Sequence, residues 1–148
     1  MNLKFLLILS ILLISISGCI QSSLIEGFTF NSGKGTCTSR ENSTAEITMT
    51  DNKINFSGYV ISPDPCYELK ASYSIKKVEF AKAPTTDVIT VTITKLGSNL
   101  AVVCIQCIGE IPFNGEIIVN KDMWNSGNYG IEIVYEGKEL TRLYNYVV

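Results

Sequence analysis

The sequence predicts an all-β fold, an antiparallel two-sheet sandwich that follows an N-terminal apolar signal helix. From residue 44 to residue 148, apolar and polar residues alternate with a period of two, and no helical repeat of three to four residues persists. Turn-forming residues interrupt this alternation about every eight to twelve residues, which is typical of β-sandwiches. About eight or nine short strands are therefore expected.

The first predicted strands form a hairpin over residues 44–50 and 54–61, with a turn at Asp51-Asn52. Ser62-Pro63-Asp64-Pro65 ends this hairpin, because proline cannot donate a hydrogen bond to a strand ladder. The next strand turns five apolar residues inward: Tyr67, Leu69, Ala71, Tyr73 and Ile75. The alternation changes phase at Lys76-Lys77, so a solvated β-bulge or a switch between sheets is expected there.

Residues 83–87 are predicted to form a loop, followed by a strand over residues 88–96. This strand turns Ile89, Val91 and Ile93 inward and its threonines outward. We expect it to pair, through Gly97-Ser98-Asn99, with a strand over residues 100–107. Both faces of residues 100–107 are apolar, which favours a central strand that is covered on both sides.

The last strands are predicted over residues 113–120 and, after a turn at Glu136-Gly137, over residues 140–148. Between them, Gly127-Asn128-Tyr129 leads into a strand with Ile131, Ile133 and Tyr135 inward and Glu132 and Glu136 outward. This segment resembles the tyrosine-corner entry to a late strand of immunoglobulin-like sandwiches. This resemblance implies an immunoglobulin-like type of sandwich, and the domain is predicted over residues 28–148.

Composition excludes several classes of function. The chain has 148 residues, of which 46% are apolar and 18% charged, and a net charge of −2, so it builds one ordinary domain and is not a disordered tail. No basic stripe is present to neutralise nucleic-acid phosphates. The absence of histidine excludes Ser-His-Asp and Cys-His nucleophiles and imidazole zinc sites. We expect no enzyme, no cofactor and no metal.

The N-terminus has the features of a secretory signal peptide over residues 1–18. A positively charged start is followed by an apolar run from residue 5 to residue 16. At about 1.5 Å per residue this run spans roughly 18 Å, less than the roughly 30 Å that a membrane-spanning helix needs. An uncleaved anchor and plain secretion are the alternatives.

Ile16-Ser17-Gly18-Cys19 resembles the lipobox of prokaryotic lipoproteins. The resemblance implies cleavage before Cys19, attachment of a diacylglyceryl group to its sulfur, and a lipid-modified new amino terminus. Two acyl chains hold a protein stably on a membrane. Residues 19–27 then form the anchor and a short tether. The expected location is the cell membrane, lipid-anchored and facing the outside.

The remaining cysteines, Cys37, Cys66, Cys104 and Cys107, predict two disulfides in an extracytoplasmic protein. If Cys104 and Cys107 lie in one strand, they point to opposite faces and do not bond each other. We prefer Cys66–Cys104 with Cys37–Cys107, and the swapped pairing stays open. A redox Cys-x-x-Cys pair is the alternative, although no helix follows it. A four-cysteine metal site is a further alternative, but zinc fingers normally contain two pairs of closely spaced cysteines, and this chain has only one such pair.

Three segments together resemble a group of small uncharacterised prokaryotic lipoproteins. They are Pro65-Cys66-Tyr67, Cys104-Ile105-Gln106 and Gly127-Asn128-Tyr129. The resemblance covers residues 55–148, implies an immunoglobulin-like β-sandwich and brings no catalytic residues. The isoleucine-, lysine- and asparagine-rich composition suits an archaeal chain but does not decide the lineage.

Three further features have both a functional and a structural interpretation. Asn42 and Asn55 begin glycosylation sequons, and Asn55 is expected to face outward. Trp124 is expected to cap the core, with an exposed stacking platform as the alternative. Lys76-Lys77 is expected to be solvated.

These features together predict a lipid-anchored extracytoplasmic β-sandwich that acts as a binding or interaction module at the cell surface. Its partner is expected to be a protein or a carbohydrate. Two alternatives remain, a thiol-disulfide oxidoreductase that uses Cys104 and Cys107, and a purely structural component of the envelope.

Overall fold

A computed structural model describes residues 23–80, 83–97, 104 and 106–145. The predicted signal peptide and Cys19 lie outside the described residues. The strands and the one described helix, α1, have these bounds: β1 Ile25–Ser32, β2 Thr36–Cys37, β3 Thr44–Thr50, β4 Lys53–Ser62, β5 Glu68–Phe80, β6 Ala83–Leu96, β7 Gly109–Val119, α1 Lys121–Ser126, β8 Tyr129–Tyr135 and β9 Lys138–Asn145.

The strands form two sheets. Sheet I has the order β1-β7-β4-β3, with the short β2 also paired to β7, and all its pairs are antiparallel. Sheet II has the order β5-β6-β8-β9. The all-β sandwich is therefore confirmed. The β6–β8 pair is parallel, however, which departs from the fully antiparallel sandwich predicted from the sequence.

The core lies between the sheets and is built from branched aliphatic and aromatic side chains of both. Period-two alternation in β4 and β7 turns every second residue into this core. Its largest fully buried side chains include Trp124, Phe56, Ile54, Ile89, Ile93, Ile111, Ile117, Ile131 and Ile133. Burying a side chain of this size contributes roughly 1.5–3 kcal/mol relative to leaving it in water.

The sandwich has two ends, which we name by what lies there. At the entry end, the Leu24 carbonyl accepts from the Asn120 amide just before α1, and the Val119 amide donates to Asn52 in the β3–β4 turn. At the bridged end, Ser32 Oγ accepts from the Leu69 amide, 3.1 Å away. This end also carries both disulfides. Tyr129 begins β8 at the entry end, because α1 leads directly into it from β7.

Several predicted strands are confirmed. The β3–β4 hairpin, the Tyr129–Tyr135 strand and the Glu136-Gly137 turn form as expected, and both turn residues have positive φ, 49° and 76°. The strand predicted over residues 113–120 is longer and begins at Gly109. Pro112 is tolerated there because it falls between the stretch that pairs with β1 and the stretch that pairs with β2.

The bulge predicted at Lys76-Lys77 is wrong. Both lysines are exposed but stay in register with Val88 and Asp87, and the register shift lies between Val78 and Phe80. Sheet I covers this part of β5 only partly, through the contact of Phe28 with Tyr73. Its residues therefore do not need to share one inward face, and Tyr73 and Ile75, predicted inward, are each 44% exposed.

The loop predicted over residues 83–87 is wrong, because these residues begin β6. Pro84 is accommodated there since the pairing with β8 starts only at Asp87. The sequence predicts outward threonines over residues 88–96, but Thr90 is only 6% exposed. Thr86, which lies in the predicted loop, is fully buried. Thr90 Oγ1 donates to Glu132 Oε1 at 2.6 Å, which satisfies the buried hydroxyl.

The central strand predicted over residues 100–107 is not found at the residues of this segment that the structure describes. Cys104, Gln106 and Cys107 lie outside regular structure, and β6 pairs with β5 and β8 instead. The predicted Gly97-Ser98-Asn99 turn and residues 100–103 and 105 lie largely outside the described part of the chain.

The folded domain starts earlier than the predicted residue 28. Leu24 and Ile25 are buried, and β1 begins at Ile25, inside the predicted tether. The predicted immunoglobulin-like type stays a prediction. In the part of the chain that the structure describes, no helix has the length and apolar character needed to cross a membrane.

Trp124 lies in α1 and caps the core, as expected. It is 2% exposed and stacks on Tyr129 with ring centroids 5.3 Å apart. Asn120 caps the helix by accepting from the Met123 amide at 3.1 Å. Asn145 Nδ2 donates to the Trp124 carbonyl at 3.3 Å. The helix therefore joins the two sheets at the entry end.

We predict that Gly115→Ala destabilises the fold. An added Cβ would overlap the Phe56 ring and lie 2.6 Å from the Thr29 carbonyl oxygen. We expect the free energy of unfolding to fall by about 1–3 kcal/mol, as for other overpacked sites. Denaturant unfolding measures this, with Gly97→Ala as the control, because nothing lies within 4 Å of that position. Equal stability of the two variants would contradict the packing described here.

Candidate functional site: the polar face of sheet I

The outer face of sheet I carries two rows of polar side chains. Strand register aligns the first row across the strands as Thr48, Asn55, Glu116 and Thr29. The second row, Glu46, Ser57 and Asn114, lies beside it. We call these two rows the polar face. They arise because alternate residues of β3, β4, β7 and β1 point away from the core.

The polar face encloses a shallow depression of about 240 Å³, lined by both rows and by the backbone at Phe56 and Gly115. Strands lie about 4.8 Å apart, and residues on one face of a strand repeat about every 6.8 Å. The two rows therefore present hydroxyl, amide and carboxylate groups at the spacing of a small polar molecule. A depression of this kind can offer both hydrogen-bond donors and acceptors.

Some of these side chains are already paired and others are available. Glu116 accepts from Lys53 Nζ at 3.1 Å, and Asn114 Oδ1 accepts from Asn31 Nδ2 at 3.2 Å. Glu46, Thr48 and Asn55 have no side-chain partner among the described residues. The half of the polar face nearest β3 therefore has unused hydrogen-bonding capacity.

An aromatic ring borders the polar face but is not open for stacking. Tyr59 follows Ser57 on the same side of β4, and the Arg40 guanidinium lies over its ring at 4.5 Å. Arg40 also pairs with Glu110, 3.1 Å away. A ligand on the polar face would therefore meet a charged and hydrogen-bonding border.

Both disulfides lie at the bridged end. Cys37 bonds Cys107 and Cys66 bonds Cys104, with Cα–Cα distances of 5.7 and 5.9 Å. The preferred pairing is confirmed. The premise that Cys104 and Cys107 share a strand is wrong, because both cysteines lie outside regular structure.

The Cys104-x-x-Cys107 segment therefore forms no bridge of its own in this structure. Its two cysteines bond the end of β2, at Cys37, and the turn before β5, at Cys66. Asp64, Cys66 and Cys104 lie close enough together to suggest a metal site. The two sulfurs are bonded to each other, however, and Asp64 Oδ1 accepts from the Cys66 amide at 3.0 Å. This cluster caps a turn.

The two sequon asparagines occupy different settings. Asn42 is exposed in the loop before β3, whereas Asn55 is exposed within the paired strand β4 and lies in the polar face. Asn55 faces outward as expected. The hydroxyl of Ser43, in the first sequon, accepts from the Ile61 amide at 2.8 Å.

A second polar cluster near the bridged end is structural. Lys95 Nζ lies 2.6 Å from Glu136 and 5.3 Å from the Tyr67 ring centroid. The hydrogen bond to Glu136 raises the pKa of Lys95, while burial raises the pKa of the neighbouring Tyr135. The lysine therefore stays charged and the tyrosine neutral at neutral pH, and the Lys95–Glu136 ion pair joins β6 to the turn after β8.

No protein-family model, curated protein or solved structure matches this chain. Any assignment of function therefore depends on the geometry and chemistry of the molecule itself.

The polar face as a unit is not predictable from the sequence. Thr48, Ser57 and Asn114 have the pattern of ordinary outward residues of separate strands, and only Asn55 stands out, as part of a sequon. The signal that could have found the site is the run of uncharged polar residues at outward positions. Neighbouring strands must be known before these positions can be combined.

We predict that each disulfide stabilises the fold by limiting the unfolded chain. The cysteines of the Cys66–Cys104 bridge are 38 residues apart and those of the Cys37–Cys107 bridge are 70 apart. Loops of this length correspond to about 4 kcal/mol each in the chain-entropy estimate. The double change Cys66→Ser with Cys104→Ser should therefore lower the free energy of unfolding by about 2–4 kcal/mol, as measured by denaturant unfolding. A variant as stable as the native protein would contradict this assignment.

Proposed function

We propose that this protein is a lipid-anchored extracytoplasmic binding module that recognises a carbohydrate on the polar face of sheet I. The observation that carries this proposal is the depression lined by hydroxyl, amide and carboxylate side chains, several of which have no partner among the described residues. Sugar hydroxyls both donate and accept hydrogen bonds. The polar face offers both hydrogen-bond acceptors and donors within one small area.

The chemistry of the polar face favours a carbohydrate over a protein partner. Protein interfaces depend on a few buried aromatic or arginine anchors in desolvated pockets. Within the described polar face the groups are small and polar, and the bordering tyrosine is covered by Arg40. A shallow polar depression suits a ligand that brings its own hydroxyl groups.

The proposed attachment agrees with the position of this face. Leu24 lies at the entry end, and the lipobox-like Cys19 precedes it by five residues in the sequence. The polar face lies along the side of the sandwich. A domain held by its entry end would leave this side open to the cell exterior. The disulfides fit the same compartment, since such bridges persist in oxidising environments.

We further propose that the domain belongs to the immunoglobulin-like type of sandwich. Its two packed sheets, and the start of the late strand β8 at Tyr129, support this proposal. The parallel β6–β8 pair differs from the antiparallel pairing that is typical of this type of sandwich.

The carbohydrate proposal predicts that Glu46→Gln weakens ligand binding. Replacing a carboxylate acceptor by an amide removes a charge-assisted hydrogen bond of about 1.5–3 kcal/mol, so affinity should fall by about tenfold to a hundredfold. Calorimetry of the chain from Ser23 onward, with oligosaccharides released from the host cell envelope, measures this. Glu68→Gln is the matched control, because Glu68 is an exposed carboxylate on sheet II.

Three results separate the outcomes of that titration. Loss of affinity in Glu46→Gln alone supports the polar face as the binding surface. Equal loss in both variants would indicate a charge effect unrelated to this face. Absence of binding by the native chain across the envelope fraction and a glycan array would refute a carbohydrate ligand.

The anchor has its own test. Intact mass of the protein from the membrane fraction should correspond to a chain that begins at Cys19 and carries a diacylglyceryl group. Cys19→Ser should abolish that lipid mass, because the thioether needs the sulfur. A mature N-terminus beyond Cys19, or an unmodified Cys19, would show that the anchor proposal is wrong.

A further inference from the structure

Two large apolar side chains are left uncovered on the edge strand β5. Tyr73 and Ile75 are each 44% exposed, although their side of β5 is the one that faces the core nearer the bridged end, where Leu69 is buried. Tyr73 still contacts Phe28, with ring centroids 5.1 Å apart. The two side chains form an apolar patch that begins at the border of the core and continues outward. We call it the β5 patch.

The β5 patch points toward the entry end. Along β1 and β5, the contact between Ser32 and Leu69 lies nearer the bridged end, and the contact between Phe28 and Tyr73 lies nearer the entry end. Farther along β5, Lys77 pairs with Asp87, and Asp87 pairs with Tyr129, the first residue of β8 at the entry end. Ile75 lies between Tyr73 and Lys77, so it is close to the level at which β1 begins. The pairing of β5 with β6 continues to Phe80 and Ala83, about 10 Å beyond Lys77 at 3.4 Å per residue.

The reach of the proposed tether is short. Five peptide steps separate Cys19 from Leu24, and a fully extended chain of that length spans at most about 18 Å. A lipid on Cys19 would thus hold the entry end within about 18 Å of the membrane interface. The described part of the β5–β6 hairpin extends about 10 Å beyond Lys77, which is within this reach.

We propose that the β5 patch rests in the interfacial layer of the membrane to which the chain is anchored. This inference depends on the lipid anchor of the proposed function and adds a second, non-covalent contact to it. The partner is the lipid surface itself. The contact fixes the tilt of the domain and turns one side of the sandwich away from the membrane.

The composition of the patch fits a membrane interface. Tyrosine is enriched at the headgroup level, where its ring is apolar and its hydroxyl stays hydrated. Lys76 and Lys77 are exposed beside Ile75, and lysine can lay its apolar stem on a surface while its ammonium group lies among the lipid headgroups. Glu79 and Asp87 offset these charges, so the contact depends on the apolar pair and should change little with salt.

Hydroxyl-radical footprinting with mass spectrometry tests this on the full-length lipidated chain. The protein is reconstituted in phosphatidylethanolamine and phosphatidylglycerol vesicles and compared with the lipid-free chain from Ser23 onward in solution. Oxidation of Tyr73 and Ile75 should fall several-fold in vesicles. Leu96 and Ile108, which are 37% and 49% exposed near the bridged end, are matched references within the same molecule and should stay unchanged.

A variant pair sharpens the test. Tyr73→Ser with Ile75→Ser should keep the lipid and the membrane fractionation, but the amines of Lys76 and Lys77 should become as reactive toward a water-soluble acylating reagent as in the lipid-free chain. Ile108→Ser removes a similar exposed apolar side chain at the bridged end. In this variant the amines of Lys76 and Lys77 should stay less reactive in vesicles than in the lipid-free chain.

Three outcomes overturn the inference. Unprotected Tyr73 and Ile75 on a chain whose intact mass includes the lipid would refute the membrane contact and leave the anchor standing. A chain without the lipid would refute both. Protection that appears in the lipid-free chain as its concentration rises would mean that a second copy covers the patch.

Discussion

The pairing of β7 is the constraint on which the rest of the structure depends. Along its length this strand pairs with β4 on one side and with β1 and β2 on the other. Its register sets which residues of sheet I face the core. A one-residue slip would exchange the buried Ile117 for the outward Glu116 and disrupt both faces at once.

The same strand connects the two ends of the molecule. At its start, Gly109 pairs with Cys37, and an added Cβ at Gly109 would lie 2.5 Å from the backbone of Asp64 and Pro65, so the loops of both disulfides pack against this point. At its end, Val119 pairs with Ile25 and the chain turns into α1. Between the ends, Asn114 and Glu116 contribute the centre of the polar face. The disulfides, the entry end and the polar face therefore all depend on the register of β7.

The proposed functions occupy different parts of the surface. The lipid and the β5 patch are assigned to the entry end, the disulfides lie at the bridged end, and the polar face lies between the two ends.

The sequence predicted the parts of the fold that depend on local pattern. Clean alternation indicated the β3–β4 hairpin and the strand into Tyr135. It failed where neighbours decide the outcome, as at Pro84, which has the pattern of a loop but is tolerated where β6 lacks the β8 partner. Thr90 has the pattern of an exposed residue, but its hydroxyl bonds Glu132 across the parallel pair. The polar face combines residues of four strands, and no local pattern shows which strands will be adjacent.

The binding surface is tested most directly by an amide chemical-shift titration of the isotopically labelled chain from Ser23 onward with envelope oligosaccharides. If the polar face binds the ligand, perturbed amides should cluster around Thr48, Asn55 and Glu116, on neighbouring strands of sheet I. Perturbations centred instead on Thr38, Cys66 and Ile108, at the bridged end, would contradict the polar face as the binding surface.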